Sequence, residues 1–251
     1  MQTSFLNCEN PILTVMVQAD NPDRIKELVD KALPEGAEAF GMQFCKLKKE
    51  YRNPDMYKNI FSYAKGKPVY VTNYRHSQNE GKSDEKLADE MLQLADCGAT
   101  LCDIMGDYFD KQPGELTMDV DAVNKQMQLI DELHKKGAEV LMSSHVLTFT
   151  PAERVIEIAL EHQRRGADIS KIVTGAETME QQIENLKIIN ILKENLEIPF
   201  LFLCGGECHV LRRIGGELGC CMYLCVYEHD ELSTQSQPLL KNVKAIRDNM
   251  R

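Results

Sequence analysis

Short apolar, β-branched runs alternate along the whole chain with longer stretches whose apolar residues recur at the helical period. The strand-like runs are PILTVMV (11–17), AEAFGMQF (37–44), PVYVT (68–72), ATLCDIM (99–105), AEVLMSS (138–144), DISKIV (168–173), IPFLFLC (198–204) and CMYLCV (221–226). Helical patterns between them include DRIKELVDKAL (23–33), DEKLADEMLQLADCG (84–98), MDVDAVNKQMQLIDELHKKG (118–137) and PAERVIEIALEHQRRG (151–166). Gly98, Gly137 and Gly166 end three of these, where a helix terminus needs a residue tolerant of positive φ, and Pro151 suits a first helical position. Eight strand-then-helix units, with no strand-rich or helix-rich half, predict an α/β chain folded as a (β/α)₈ TIM barrel rather than an open doubly wound sheet.

A length of 251 residues suits one large α/β domain or two small ones, and no linker or composition break divides the chain. Residues 1–251 are therefore read as one barrel. The turn Gln18 to Pro22 lacks G-x-G-x-x-G and no G-x₄-GK[ST] occurs, which disfavours dinucleotide and P-loop chemistry. The net charge of −10 and the absence of a strongly basic block argue against nucleic acid as a partner, while a local basic pocket leaves small anions open. MQTSFLNCENPILTVMV carries no positive charge ahead of its apolar run, and no apolar stretch reaches 18 residues, so no membrane partner is expected and the expected location is the cytoplasm. The nine Cys are read as reduced thiols. Cys204, Cys208 and His209, with Cys220, Cys221 and Cys225 beyond, lack a common zinc spacing, and the last three sit in an apolar run; core thiols are the better reading and no metal is expected.

In such a barrel, chemistry gathers where strands end. Polar groups there are Gln43, Arg75, Asp103, His145, Lys171, Arg213 after the seventh strand, and Ser233 with Gln237 after the eighth. If Ile169, Lys171 and Val173 face inward, the ammonium is enclosed, and desolvation with a nearby cation such as Arg213 favours the neutral amine, a nucleophile toward ketones that forms a Schiff base. The competing structural role is a lysine that reaches the rim or pairs with Asp103. His145 ends the strand before Lys171, so both stand at one barrel end, where an imidazole can move protons at a carbon beside an iminium. Asp103, one strand further back, is placed to hold the ring's second N–H. Arg213 suits a carboxylate anchor, with Ser233 and Gln237 adding hydrogen bonds; each of these alone also suits a solvated loop.

SSHVLTFTP and ADISKIV resemble the pattern Ser-x-His-x-Phe-x-x-Thr-Pro, then, after a spacer, Ala-Asp-x-x-Lys-Ile, of the type I 3-dehydroquinate dehydratases, Schiff-base-forming (β/α)₈ hydro-lyases of the shikimate route to aromatic amino acids. Arg212-Arg213-Ile214-Gly215-Gly216-Glu217 is similar to that family's Ser-Arg-Leu-x-Gly-Glu, and Ser233 to Gln237 to its Ser-Ala-Pro-Gly-Gln lid. Asp103 stands where the family has the aspartate of Asp-x-Glu, and Arg75 and Glu80 match its Thr-Phe-Arg-x-x-x-Glu-Gly after one inserted residue. The resemblance implies a cofactor-free homodimer acting on a small carboxylated keto compound: Lys171 condenses with the cyclic 3-ketone of 3-dehydroquinate, His145 abstracts a proton, and a β-hydroxyl leaves as water to give 3-dehydroshikimate.

The chain departs from that pattern at several positions. Gly41-Met42-Gln43 replaces a Glu-x-Arg that holds ring hydroxyls, Met105 a glutamate, Leu147 a phenylalanine, and the lid lacks its Pro-Gly. Each lost charged hydrogen bond is worth roughly 1.5–3 kcal/mol. The alternatives are a related Schiff-base lyase or aldolase for a less hydroxylated keto acid, and a non-catalytic binding homologue.

Overall fold

The computed structural model describes residues 4–6, 10–206 and 209–250. Eight parallel strands, β1 (Ile12–Val17), β2 (Ala39–Gln43), β3 (Val69–Thr72), β4 (Leu101–Met105), β5 (Glu139–His145), β6 (Ile169–Ala176), β7 (Phe200–Gly206) and β8 (Met222–Cys225), form one sheet. Its order is β7-β6-β5-β4-β3-β2-β1-β8, each strand beside its sequence neighbour and β8 returning to β1. At the base, the Cys221 N–H donates to the Phe200 carbonyl (2.9 Å), linking the start of β8 to β7 and nearly closing the barrel. The helices α1 (Pro22–Ala32), α2 (Pro54–Ser62), α3 (Asp84–Asp96), α4 (Val120–Lys135), α5 (Ala152–Arg164), α6 (Met179–Asn195), α7 (Val210–Leu218) and α8 (Leu240–Asn249) fill the crossovers. The predicted barrel is the observed fold.

Local chemistry sets the element ends. Asn21, Asn53, Asp119 and Thr178 accept from backbone N–H groups at the starts of α1, α2, α4 and α6. Gly98, Gly137 and Gly166 follow α3, α4 and α5 with φ of 111°, 82° and 95°, as the expected termini require. Pro151 is corrected by one position: its ψ of 158° is extended, so it is the residue before the first turn of α5. Cys204, Cys220 and Cys225 are buried in the apolar core; Cys208 lies outside the described residues.

Alternation along the strands splits the core in two. One set of side chains, such as Val15, Phe40, Val71, Ile104 and Val140, packs outward against helices, and the other fills the barrel. Phe5 closes the bottom: it is buried, packs edge-on against Tyr70 with ring centroids 6.5 Å apart, and its N–H donates to Glu139 Oε2 (2.8 Å). Above this plug the interior carries Asp103, Ser143 and Lys171, all buried. No helix among the described residues is long and apolar enough to cross a membrane.

Candidate active site

Lys171 lies on β6 in register with Ser143 of β5, points into the barrel and is 4% exposed. Its Nζ donates to the Tyr74 hydroxyl (2.7 Å), the Tyr70 hydroxyl (3.2 Å) and Asp103 Oδ2 (3.1 Å). Asp103, fully buried on β4, also accepts from Ser143 Oγ (2.6 Å), from the Tyr74 hydroxyl (2.6 Å) and from the Tyr70 hydroxyl. Burial alone would push this carboxyl up, but Lys171 and three hydroxyl donors outweigh it and hold the group below the usual carboxylate range. The amine therefore rests in an ion pair beneath the cavity. Arg213, expected as a nearby cation, is exposed and does not line the cavity, and the Asp103 carboxylate stands against the amine.

His145 ends β5 on the cavity wall. Its Nδ1 donates to Glu115 Oε2 (2.6 Å), which also accepts the His145 backbone N–H (3.0 Å). This fixes the tautomer and leaves Nε2 as the nitrogen able to take a proton. The expected pairing of His145 with Asp103 is thus corrected, since Asp103 is occupied by Lys171 and the hydroxyls. Glu115 was not legible in the chain. It sits far along the β4–α4 loop at φ 51°, a left-handed conformation sparsely used outside glycine, and its acidic side chain in a polar loop carried no motif. The loop is clamped from below: Arg165 Nη1 donates to the Gly106 carbonyl (2.8 Å) and Gln126 Oε1 (2.6 Å), and Nη2 to the Thr117 carbonyl (2.5 Å), while Ser144 Oγ donates to the Glu115 carbonyl (2.7 Å).

Above Lys171 opens a cavity of about 690 Å³ at the C-terminal ends of the strands. Lys171, His145, Gln43, Arg75 and Gln237 line it, as expected of strand-end residues. Arg75, however, is committed to the protein. It grips Asp84 through two nitrogens (2.8 and 2.7 Å) and Asp107 Oδ1 (2.7 Å), tying the β4–α4 loop to the start of α3. Gln43 Oε1 accepts from Gln18 Nε2 (2.6 Å), and Gln18 Oε1 accepts the Thr234 N–H (2.6 Å), which fastens the loop after β8 to the barrel.

Arg213, Glu80 and Ser233 do not line this cavity. Arg213 is exposed and donates to the His209 carbonyl (3.1 Å), because the inward face of α7 carries Leu211, Arg212, Gly215 and Gly216, and the next residue along a helix turns about 100° away. Arg212 takes its place: 8% exposed, lining the cavity, held by its Nε donating to the Cys204 carbonyl (2.9 Å), with no carboxylate on its guanidinium among the described residues. Glu80 is exposed on an outer groove, and Asp84 holds Arg75. Ser233 is used within its own loop by Asp230 (2.8 and 2.9 Å), while Thr234 and Ser236 reach the cavity. Thr72 Oγ1, Thr174 Oγ1 and Gln237 Oε1 belong to residues that also line it, buried and without a hydrogen-bond partner among the described residues. Where a side chain at position 41 would begin, a Cβ would lie 2.1 Å from Met16 Sδ, so a thioether fills that corner.

A profile of the type I 3-dehydroquinase family matches residues 13–247. Among curated proteins, a 3-dehydroquinate dehydratase of Alkaliphilus oremlandii is 35% identical over 106 residues, 41% of this chain and 40% of that protein. One of Listeria monocytogenes is 27% identical over 105 residues, 40% of this chain and 42% of that protein, so the matched segments span about two fifths of these relatives. In solved structures the likeness is one of fold. A type I 3-dehydroquinate dehydratase of Clostridium difficile, with covalent modified comenic acid, superposes with a TM-score of 0.80 at 15% identity over 98% of this chain and 94% of that one. A 3-dehydroquinate dehydratase of Geobacillus kaustophilus gives 0.81 at 13% identity over 98% and 93%. With its profile matched across nearly every strand and helix, the chain belongs to the type I 3-dehydroquinase family.

Proposed function

We propose that this protein dehydrates 3-dehydroquinate to 3-dehydroshikimate through a Schiff base on Lys171. The observation that carries the reading is the enclosed Lys171 amine beneath a cavity whose wall holds His145 with Nδ1 committed to Glu115. The amine adds to the ring ketone and water leaves, giving an iminium that acidifies the adjacent C–H. His145 Nε2 takes that proton, and the imidazolium returns it to the departing β-hydroxyl, which leaves as water. Hydrolysis of the conjugated iminium frees the product and the amine. Arg212 anchors the carboxylate in this reading, and Thr72, Thr174 and Gln237 offer buried polar atoms to the ring hydroxyls.

A second reading has its own observation. Met16 over Gly41, with Gln43 tied to Gln18, puts an apolar and already satisfied corner where the family pattern has a charged pair. This favours a less hydroxylated carboxylated ketone. Both readings place the protein among dissolved small molecules, which suits the cytoplasm, and the family resemblance supports a homodimer.

Borohydride reduction in the presence of 3-dehydroquinate tests the first reading. It should add one substrate-derived mass to the wild type at Lys171 and none to Lys171→Ala, with ultraviolet turnover abolished in the variant. A wild type that stays unlabelled at saturating 3-dehydroquinate contradicts the Schiff base on this substrate; labelling and turnover only with a less hydroxylated keto acid selects the second reading.

A further inference from the structure

The proposed condensation needs a proton to leave the lysine and return at the right moment, and His145 is poorly placed for that task. One of its nitrogens is occupied by Glu115 and the other is assigned to the carbon acid, and no hydrogen bond joins it to Lys171 or Asp103 among the described residues. We propose that Tyr74 is a further catalytic residue, whose phenol oxygen passes the Lys171 proton to Asp103 before condensation and returns it to the hydroxyl expelled from the carbinolamine. This rests on the Schiff-base reading given above.

The geometry supplies the wire. Lys171 Nζ to the Tyr74 oxygen is 2.7 Å and that oxygen to Asp103 Oδ2 is 2.6 Å, both shorter than the direct 3.1 Å between the charged partners. Tyr70 makes similar bonds, but it stands lower on β3, fully buried, and does not line the cavity. Tyr74 lies just past the end of β3 and does line it, so its oxygen is the one that a hydroxyl on the carbon bonded to Nζ can reach. Its ring is fixed edge-on against His145, with centroids 5.3 Å apart at 84°. Burial and the Asp103 charge push its phenol well above the ordinary range, so it keeps a hydrogen at all times and serves as a conduit, with Asp103 as the store.

Atoms and charge balance at each stage. The ammonium gives a proton to the Tyr74 oxygen as the phenol gives its own to Asp103, leaving a neutral amine beside a neutral carboxylic acid. The amine nitrogen attacks the carbonyl carbon, and proton transfer from nitrogen to the alkoxide gives the neutral carbinolamine. Asp103 then returns its proton through Tyr74 to the carbinolamine hydroxyl, the C–O bond breaks, water departs, and the nitrogen lone pair closes the iminium. The site passes from ammonium with carboxylate, through amine with acid, to iminium with carboxylate, and never holds an unpaired buried charge, which burial disfavours.

Tyr74→Phe keeps the ring and removes only the oxygen. With 3-dehydroquinate and rapid borohydride quenching, read by mass, the first-order rate of the Lys171 adduct should fall about a hundredfold, the usual scale of one acid–base contribution. Binding of quinate, which has the ring and carboxylate but no ketone to condense, should stay within a few-fold and reports that the variant is folded. An adduct rate unchanged in Tyr74→Phe overturns the proposal. If Tyr74→Phe binds quinate poorly, 3-fluorotyrosine placed at position 74 keeps shape and changes acidity: an altered adduct rate supports the relay, and an unaltered one overturns it. A wild type that forms no adduct overturns the Schiff-base reading itself, and is told apart because the failure precedes any substitution.

Discussion

Two adjacent arginines on α7 have opposite fates. Arg212 is buried on the cavity wall and Arg213 is exposed to solvent. A carboxylate bound by a guanidinium in a desolvated site gains roughly 1.5–3 kcal/mol per charged hydrogen bond. Arg212→Gln should therefore raise KM for the proposed carboxylated substrate about tenfold to a hundredfold with a smaller change in kcat. Arg213→Gln should leave both constants nearly unchanged. Steady-state ultraviolet kinetics on the two variants decides the assignment, and a KM effect confined to Arg213→Gln would reverse it. At this scale the chain was partly legible: Lys171, His145, Gln43, Arg75 and Gln237 sit at the cavity as strand-end residues should, and pairing with Asp103 was one of the roles open to Lys171, whereas Glu115 as partner of His145 and Asp84 with Asp107 as partners of Arg75 were not legible. Asp103 on β4 and Glu115 far along the β4–α4 loop are both acidic, and nothing in their local spacing says which one meets the lysine and which the imidazole.

Elements are where the reading was most secure, because strand and helix periods are local and each turn of the pattern repeats the same test. All eight strands lie where alternation and β-branched runs placed them, and the glycine stops follow three of the helices. What locks α7 against the barrel is less visible. At Gly216 a Cβ would stand 2.4 Å from Tyr223 Cε2 and 2.8 Å from Pro11 Cβ, so the helix backbone lies directly on an aromatic ring of β8. Gly216→Ala forces that ring or the helix to shift, and overpacking of this kind costs about 1–3 kcal/mol. Urea denaturation should show the loss as a lower midpoint with an unchanged slope, and because α7 carries Arg212, KM should rise as well. A midpoint equal to wild type would mean that the helix has room to move. The β4–α4 loop shows the opposite case: its path is set by Arg165 from beneath, a buried cation that pairs with Glu161 on its own helix and donates to Gly106, Thr117, Met118 and Gln126 from distant parts of the chain.

For the whole molecule, the same buried layer ties stability to pH. His162 is fully buried between Ser144 Oγ and Ser170 Oγ (3.0 Å each), and burial together with the neighbouring Arg165 charge lowers its pKa to about 3. In the unfolded chain the imidazole titrates near 6.5, so below that pH the unfolded state binds a proton that the folded state refuses. Its stabilising effect is complete above about pH 6.5 and is lost as pH falls toward about 3, at roughly 1.4 kcal/mol per unit. His162→Gln keeps a donor and an acceptor without the titration. The wild type should lose stability faster than His162→Gln between about pH 6 and 4, as read from urea midpoints, and parallel curves would exclude the imidazole as the cause.

The amino-acid sequence by itself determined the barrel, the end of the barrel that carries chemistry, and the lysine and histidine on neighbouring strands. These follow from periods of two and 3.6 residues and from the order of strands in a right-handed βα series, all readable within short windows. Only the tertiary structure decided that the lysine rests on Asp103 and two phenols, that Glu115 rather than Asp103 orients the imidazole, that Arg212 rather than Arg213 faces the cavity, and that Met16 fills the space over Gly41. The reason is physical: hydrogen bonds and buried charges are settled by distances of a few ångströms between segments far apart in the chain, and helix phase, loop path and side-chain reach enter those distances together.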